Sequence, residues 1–183
     1  MLVAIDIGNT NILIGIINSE GLIQNQHRIS TVDLLNKEKS TLIELDNIFN
    51  DLNSISDYNF IIASVVPEAC NHLNHILKEI NISANILSST DKVLGMKIDI
   101  DKPSELGTDR IVNAIAAVDE YKAPLVVIDF GTATTFDIID SDGTYKGGLI
   151  CPGIKLSIKS LNSDTAQLPL VDLKRTSTVI GRD

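Results

Sequence analysis

Three features of the sequence predict an α/β protein built by duplication, with an incomplete second copy. Apolar runs of strand length alternate with stretches of helical periodicity. A strand–acid–glycine–strand pattern occurs twice, in MLVAIDIGNTNILIGII at Met1–Ile17 and in VVIDFGTATTFDIID at Val126–Asp140. The elements after the first occurrence are repeated only in part after the second.

The first copy opens with two β-rich runs, Leu2–Ile7 and Ile12–Ile17, joined by Gly8-Asn9-Thr10-Asn11. That pattern reads as a hairpin. Gly8 can adopt backbone angles closed to other residues, and Asn9 and Asn11 tolerate them better than most. Such a turn points several N–H groups one way, which suits an anion. Asp6 repels a phosphate on its own, but it can hold a divalent cation that the phosphate shares. Taken alone, the stretch reads equally well as an ordinary hairpin in an ordinary sheet.

The second occurrence favours the phosphate site. Asp6 corresponds to Asp129, Gly8 to Gly131 and Asn9 to Thr132, an offset of 123 residues. The next turns also correspond, Asn18-Ser19-Glu20-Gly21 with Asp140-Ser141-Asp142-Gly143, with one residue deleted. This spacing is too long for a solenoid and suits two domains. The expectation is two facing bends that clamp one phosphate chain between their carboxylates.

Gly21–Ile29 is expected as a third strand closing a meander. Thr31–Leu52 reads as one helix, with Leu34, Leu35, Leu42, Leu45, Ile48, Phe49 and Leu52 at helical spacing. Lys37-Glu38-Lys39 would be its solvated face. Phe60–Val66 is a continuous apolar run, as in a strand buried on both faces. Pro67 starts a helix to about Ile80. His72 and His75 are three apart on it, but no acid or thiolate completes a metal set, and a wet helix face is expected. Ala84–Leu87 is a short strand, and Lys92–Pro103 an extended connection.

Ser104–Lys122 has helical spacing at Ile111, Ile115 and Val118. Asp109 and Asn113 share a face, while Arg110 points elsewhere. Asp109 fits a first-turn acid that favours the helix dipole. Equally, Gly107-Thr108-Asp109-Arg110 places a hydroxyl, an acid and a base beside a glycine, which suits a grip on a small polar substrate.

The second copy predicts strands at Leu125–Phe130, Thr135–Ile139 and Thr144–Ile150. Pro152 then opens a helix with Leu156, Ile158 and Leu161 apolar. A polar loop, the stretch LPLVDL at 168–173 and the pair Val179-Ile180 follow. The expected division is residues 1–103 and 104–183. Compared with the first copy, the second lacks a last strand and at least one helix. The expectation is a fragment of a longer chain, or a second chain covering the open apolar side.

The 183 residues carry a net charge of −9, which argues against a nucleic-acid backbone as partner. With no Trp and 4% aromatic residues, the core must be built from Ile, Leu, Val and Ala. No apolar run reaches membrane-spanning length, and the N-terminus reads as a strand rather than a signal peptide. Cys70 and Cys151 are isolated and are expected as buried free thiols of a cytoplasmic protein. The chain lacks G-x-x-x-x-G-K-[ST] and G-x-G-x-x-G, which disfavours a P-loop kinase and a dinucleotide enzyme.

Two such meander-plus-helix copies resemble the acetate and sugar kinase, Hsp70 and actin superfamily, with its duplicated ribonuclease H-like (actin-like ATPase) domains. Within it, four stretches in order resemble type III pantothenate kinase: DIGNTN at Asp6, SVVP at Ser64, GTDR at Gly107 with Asn113, and DFGTATT at Asp129 leading to GGLICPGI at Gly147. Thr165-Ala166-Gln167-Leu168-Pro169 and Ile180-Gly181 also match.

The resemblance implies ATP-dependent phosphorylation of pantothenate to 4'-phosphopantothenate, the first step of coenzyme A biosynthesis, in a cytoplasmic homodimer. It implies that Asp6, Ile7, Gly8, Asn9, Thr10, Asn11, Ile12 and Leu13 form the first phosphate loop for ATP, with Asp6 near the magnesium. Thr132 would meet ATP phosphate, and Asp129 would coordinate K+ or NH4+. Gly107, Thr108, Asp109 and Arg110 would hold pantothenate, and Asp109 would take the proton from its primary hydroxyl. The sequence departs from the family at Ile100, where a tyrosine usually contacts pantothenate. Family members also continue past Asp183, where a threonine contact is expected. Two other readings are a non-catalytic transcription accessory relative and a superfamily kinase acting on another hydroxyl substrate.

Overall fold

A computed structural model of the chain describes residues 1–53, 58–91, 94–175, 178 and 180. Lys92, Val179, Gly181 and Asp183, which figured in the sequence reading, lie outside the described residues. Alternation of apolar side chains gives the first strands their two faces. β1 (Leu2–Ile7), β2 (Asn11–Ile17) and β3 (Ile23–Ser30) form an antiparallel meander. β4 (Asn59–Ser64) pairs parallel with β1, and β5 (Ala84–Ile86) pairs parallel with β4. The order β3-β2-β1-β4-β5 puts β1 at the centre.

The expected single helix over Thr31–Leu52 is two helices, α1 (Thr31–Leu35) and α2 (Lys39–Asn53). Ser30 caps α1, its Oγ accepting the Asp33 N–H at 3.2 Å. The chain then reverses at Lys37, whose φ of 55° lies in the left-handed region. A lysine there costs about 1–2 kcal/mol, so a continuous helix was the natural reading of the periodicity. Lys37, Glu38 and Lys39 are exposed, but at this junction rather than along one helix face.

α3 (Pro67–Glu79) starts at its proline as expected. Its Leu73 and Leu77 join Leu45 and Phe49 of α2 and Val3, Ile5, Ile7, Ile12 and Ile14 of the sheet in one hydrophobic core. Each such side chain contributes roughly 1.5–3 kcal/mol by leaving water. His75 pairs with Glu79 at 3.3 Å on the exposed side.

α4 (Thr108–Glu120) begins later than Ser104, because Pro103–Glu105 forms a separate 3-10 turn. A second small core gathers Leu106, Ile111, Ala114, Ile139 and Tyr145. The connection before α4 is not merely extended: Ile98 bridges to Tyr145 in parallel.

β6 (Leu125–Phe130), β7 (Ala133–Ile139) and β8 (Tyr145–Pro152) form a three-stranded sheet in chain order. Pro152 ends β8 rather than opening a helix. Gly153 caps α5 (Ile154–Ser163), with Ser157 N–H on its carbonyl at 2.8 Å. Both cysteines are free, but only Cys70 is buried; Cys151 lies on β8, whose C-terminal half is exposed. Among the described residues, no helix is long and apolar enough to cross a membrane.

The chain divides into two compact units. One takes Met1–Val127 and Asp137–Gly148, the other Ile128–Phe136 and Leu149–Asp183.

Candidate active site

The first bend is tied off by its own backbone and by α1. Gly8 N–H donates to the Asn11 carbonyl at 3.0 Å. Thr31 Oγ1 donates to the Gly8 carbonyl at 2.7 Å, and Thr31 N–H donates to the Thr10 carbonyl at 3.0 Å. Sequence reasoning missed Thr31; its signal is the first helical position after β3. Asp6, Asn9 and Thr10 are exposed, and Asn11 and Leu13 half-buried. Ile7 and Ile12 are buried in the core, so only their backbone faces the bend.

The expected special backbone at Gly8, Asn9 and Asn11 is not present: none of the three has positive φ. A Cβ at Gly8 would meet only the Asn11 carbonyl, at 3.4 Å. The chain itself makes little demand for glycine at this position.

Gly107 caps α4, and the first turn of that helix carries the expected acid. Asp109 Oδ1 accepts the Arg110 N–H at 2.8 Å. The same carboxylate lies so close over Gly107 that a Cβ there would collide with it. Thr108 is buried, whereas Asp109 and Arg110 are half-buried.

One residue joins this segment to the first bend. Val65 N–H donates to the Ile7 carbonyl at 3.0 Å, and Val65 Cγ1 lies 3.5 Å from the position of a Gly107 Cβ. Both segments therefore sit at the carboxyl ends of the parallel strands β1 and β4, where open α/β sheets bind ligands.

The Arg110 side chain reaches a buried acid that the sequence reading did not single out. Arg110 Nε donates to Asp137 Oδ1 at 2.7 Å, and Nη2 lies 2.6 Å from the same oxygen. Tyr145 O–H also donates to Asp137 Oδ1, at 2.5 Å. Burial pushes the Tyr145 phenol well above the ordinary tyrosine range, and the bond to Asp137 pushes the same way. The available signal was an acid in the middle of a strand, TTFDII. Ile100 is half-buried in this cluster, its Cγ2 3.5 Å from where a Gly147 Cβ would stand.

The second bend belongs to the other unit. Gly131 N–H donates to the Ala133 carbonyl at 2.9 Å, and Gly153 N–H to the Thr132 carbonyl at 3.1 Å. A Cβ at Gly153 would collide with the carbonyl oxygens of Gly131 and Thr132, so the bend rests on the start of α5. Asp129 and Thr132 are exposed. Among the described residues, no three His, Cys, Asp or Glu side chains group as a metal site. Asp6 and Asp129 each offer a single carboxylate, which fits a cation that keeps water and phosphate oxygens as its other ligands.

The model of the family described as type III pantothenate kinase matches residues 2–183. A type III pantothenate kinase of Agathobacter rectalis is 39% identical over 100% of this chain and 70% of its own length. One from Paramagnetospirillum magneticum is 42% identical, over 100% of this chain and 70% of its own. Among solved structures, one from Sinorhizobium meliloti, provisionally a 2-dehydro-3-deoxygalactonokinase, aligns at a TM-score of 0.54 and 14% identity. It covers 90% of this chain, which spans only 57% of that one, and it gives the fold alone. The fold is thus that of the actin-like ATPases, with the second copy incomplete relative to these neighbours. The chain belongs to the type III pantothenate kinase family.

Proposed function

We propose that the chain transfers the γ-phosphoryl group of ATP to the primary hydroxyl of pantothenate, giving 4'-phosphopantothenate. The observation that carries this reading is the meeting at Val65. The bend after Asp6 and the Gly107–Arg110 segment reach the same strand ends. Phosphoryl transfer asks mainly for positioning and charge neutralisation, which is what two such segments supply.

In this reading Asp6 to Leu13 form the phosphate loop for ATP, and Asp6 holds the magnesium. Thr132 meets phosphate, and Asp129 holds K+ or NH4+. The cations supply charge neutralisation when bound. Gly107, Thr108, Asp109 and Arg110 hold pantothenate beside Ile100, and Asp109 accepts the hydroxyl proton as general base. The absence of any internal need for glycine at Gly8 supports the reading, because close approach of a phosphate to the backbone is a separate reason for one. The division at residues 1–103 and 104–183, a homodimer and a cytoplasmic location belong to the same proposal.

The test is turnover with ATP, Mg2+, K+ and pantothenate. Asp109→Asn is expected to lower kcat by about 10²–10⁴-fold, with ATP binding kept. Normal turnover by that variant removes Asp109 from the role. Turnover of a sugar but not pantothenate moves the substrate elsewhere in the superfamily, and no turnover of any substrate favours the non-catalytic relative.

A further inference from the structure

We infer that Asp137 and Tyr145 are positioning residues for Arg110, the neighbour of Asp109 in the chain: a buried carboxylate and a buried phenol that fix its guanidinium. The assignment rests on the reading of Gly107–Arg110 as the pantothenate-holding segment.

Three donor atoms, Nε and Nη2 of Arg110 and Oη of Tyr145, crowd one oxygen, Oδ1 of Asp137. Asp137 is 1% exposed and Tyr145 is fully buried. A buried carboxylate is costly unless charged and polar partners surround it. A core built for stability alone would be served as well by an apolar residue, since buried ion pairs add little net stability. The register of the duplication makes the point, because Ile14 stands where the second copy has Asp137. What the pair does supply is direction.

Arg110 follows Asp109 in the chain, and the Asp109 carboxylate already takes the Arg110 backbone N–H. A guanidinium loose at this point would fold back onto Asp109. Asp137 gives it another partner, and the Tyr145 hydroxyl holds the same carboxylate oxygen. Burial keeps that phenol protonated, so it remains a donor at neutral pH. Nη2 lies off the hydrogen-bonding direction toward Oδ1 and has no hydrogen-bond partner among the described residues, so a firm orientation here needs the second anchor.

The first test needs no variant. In a 15N spectrum of the full chain, assigned through bonds, the Arg110 Nε–H should exchange slowly with water. A fast-exchanging, averaged signal overturns the clamp whatever the substrate proves to be. Tyr145→Phe keeps the ring and removes the donor. It should speed that exchange by roughly tenfold, the scale of one hydrogen bond to a charged group. No change in exchange overturns the role of the hydroxyl.

In turnover, Tyr145→Phe should raise KM for pantothenate by roughly tenfold while kcat and KM for ATP hold within about twofold. In an Arg110→Lys background the same change should have little further effect, because both act through one group. An equal loss in both backgrounds means that Tyr145 serves only the fold, and overturns the assignment. Absence of pantothenate turnover in the unaltered chain overturns the proposed function instead, and leaves the clamp to the Nε–H signal.

Discussion

The two copies spell their first strands alike and bury them differently. In β1, Val3, Ile5 and Ile7 lie at the heart of the core; in β6, Val126, Ile128 and Phe130 are exposed. The first copy has α2 and α3 against its sheet, with Phe49, Leu73 and Leu77 filling the gap. The second has α5, none of whose residues is buried. An apolar run therefore specifies a strand, but whether that strand is covered depends on the layer laid against it. The second strands differ as well. β2 buries Ile12, Ile14 and Ile16, while β7 buries Thr134, Asp137 and Ile139. One copy is a hydrophobic platform, and the other carries a polar anchor.

Truncating matched aromatic residues puts the difference in burial to the test. Phe49→Ala should cost about 3–5 kcal/mol in urea unfolding of this chain, as for a fully buried ring. Phe130→Ala, at a site 70% exposed, should cost under about 1 kcal/mol. Similar losses at both positions would break the comparison.

The two bends differ in what holds them. Gly153→Ala drives a methyl group into the carbonyls under the second bend and should cost about 1–3 kcal/mol. Gly8→Ala meets one carbonyl at contact distance and should leave stability nearly unchanged. Its effect should be weaker ATP binding, read by titration calorimetry. A large loss of stability on Gly8→Ala would mean that glycine serves the fold there.

The polar anchor gives the second copy a response to alkali. The folded-state phenol of Tyr145 ionises at higher pH than the unfolded one, so its contribution is complete below about pH 10, the ordinary tyrosine value. Above that pH the unfolded phenol loses its proton first, and stability falls by at most about 1.4 kcal/mol per pH unit. Tyr145→Phe should flatten this limb in pH-dependent urea melts.

The smallest effect is expected at the surface. Lys146 holds the Asp99 carboxyl below the usual range, through a 2.6 Å bond and through its charge. Its contribution is present above the ordinary Asp range and fades as pH falls through the lowered value. Both groups are in water, so Asp99→Asn should leave Tm unchanged at 0.15 M salt. A resolvable drop would show a larger role for this pair.

Much was legible along the chain because it depends on neighbours in sequence. Apolar, β-rich runs marked β1, β2 and β4, the proline marked the start of α3, and the doubled Asp–Gly pattern marked the bends. The candidate residues Asp6, Asp109, Asp129 and Thr132 were named from motifs alone. The break at Lys37 was not legible, because a left-handed lysine leaves the helical spacing on either side intact.

What only the tertiary structure decided lies between residues far apart in sequence. Val65 joins the Ile7 carbonyl to Gly107, and Asp137 gathers Arg110 from 27 residues away and Tyr145 from eight. Local propensity and periodicity set which segments become strands and helices. Which side chains then meet depends on strand order and on which face is covered, and the chemistry of the site follows from those long-range contacts.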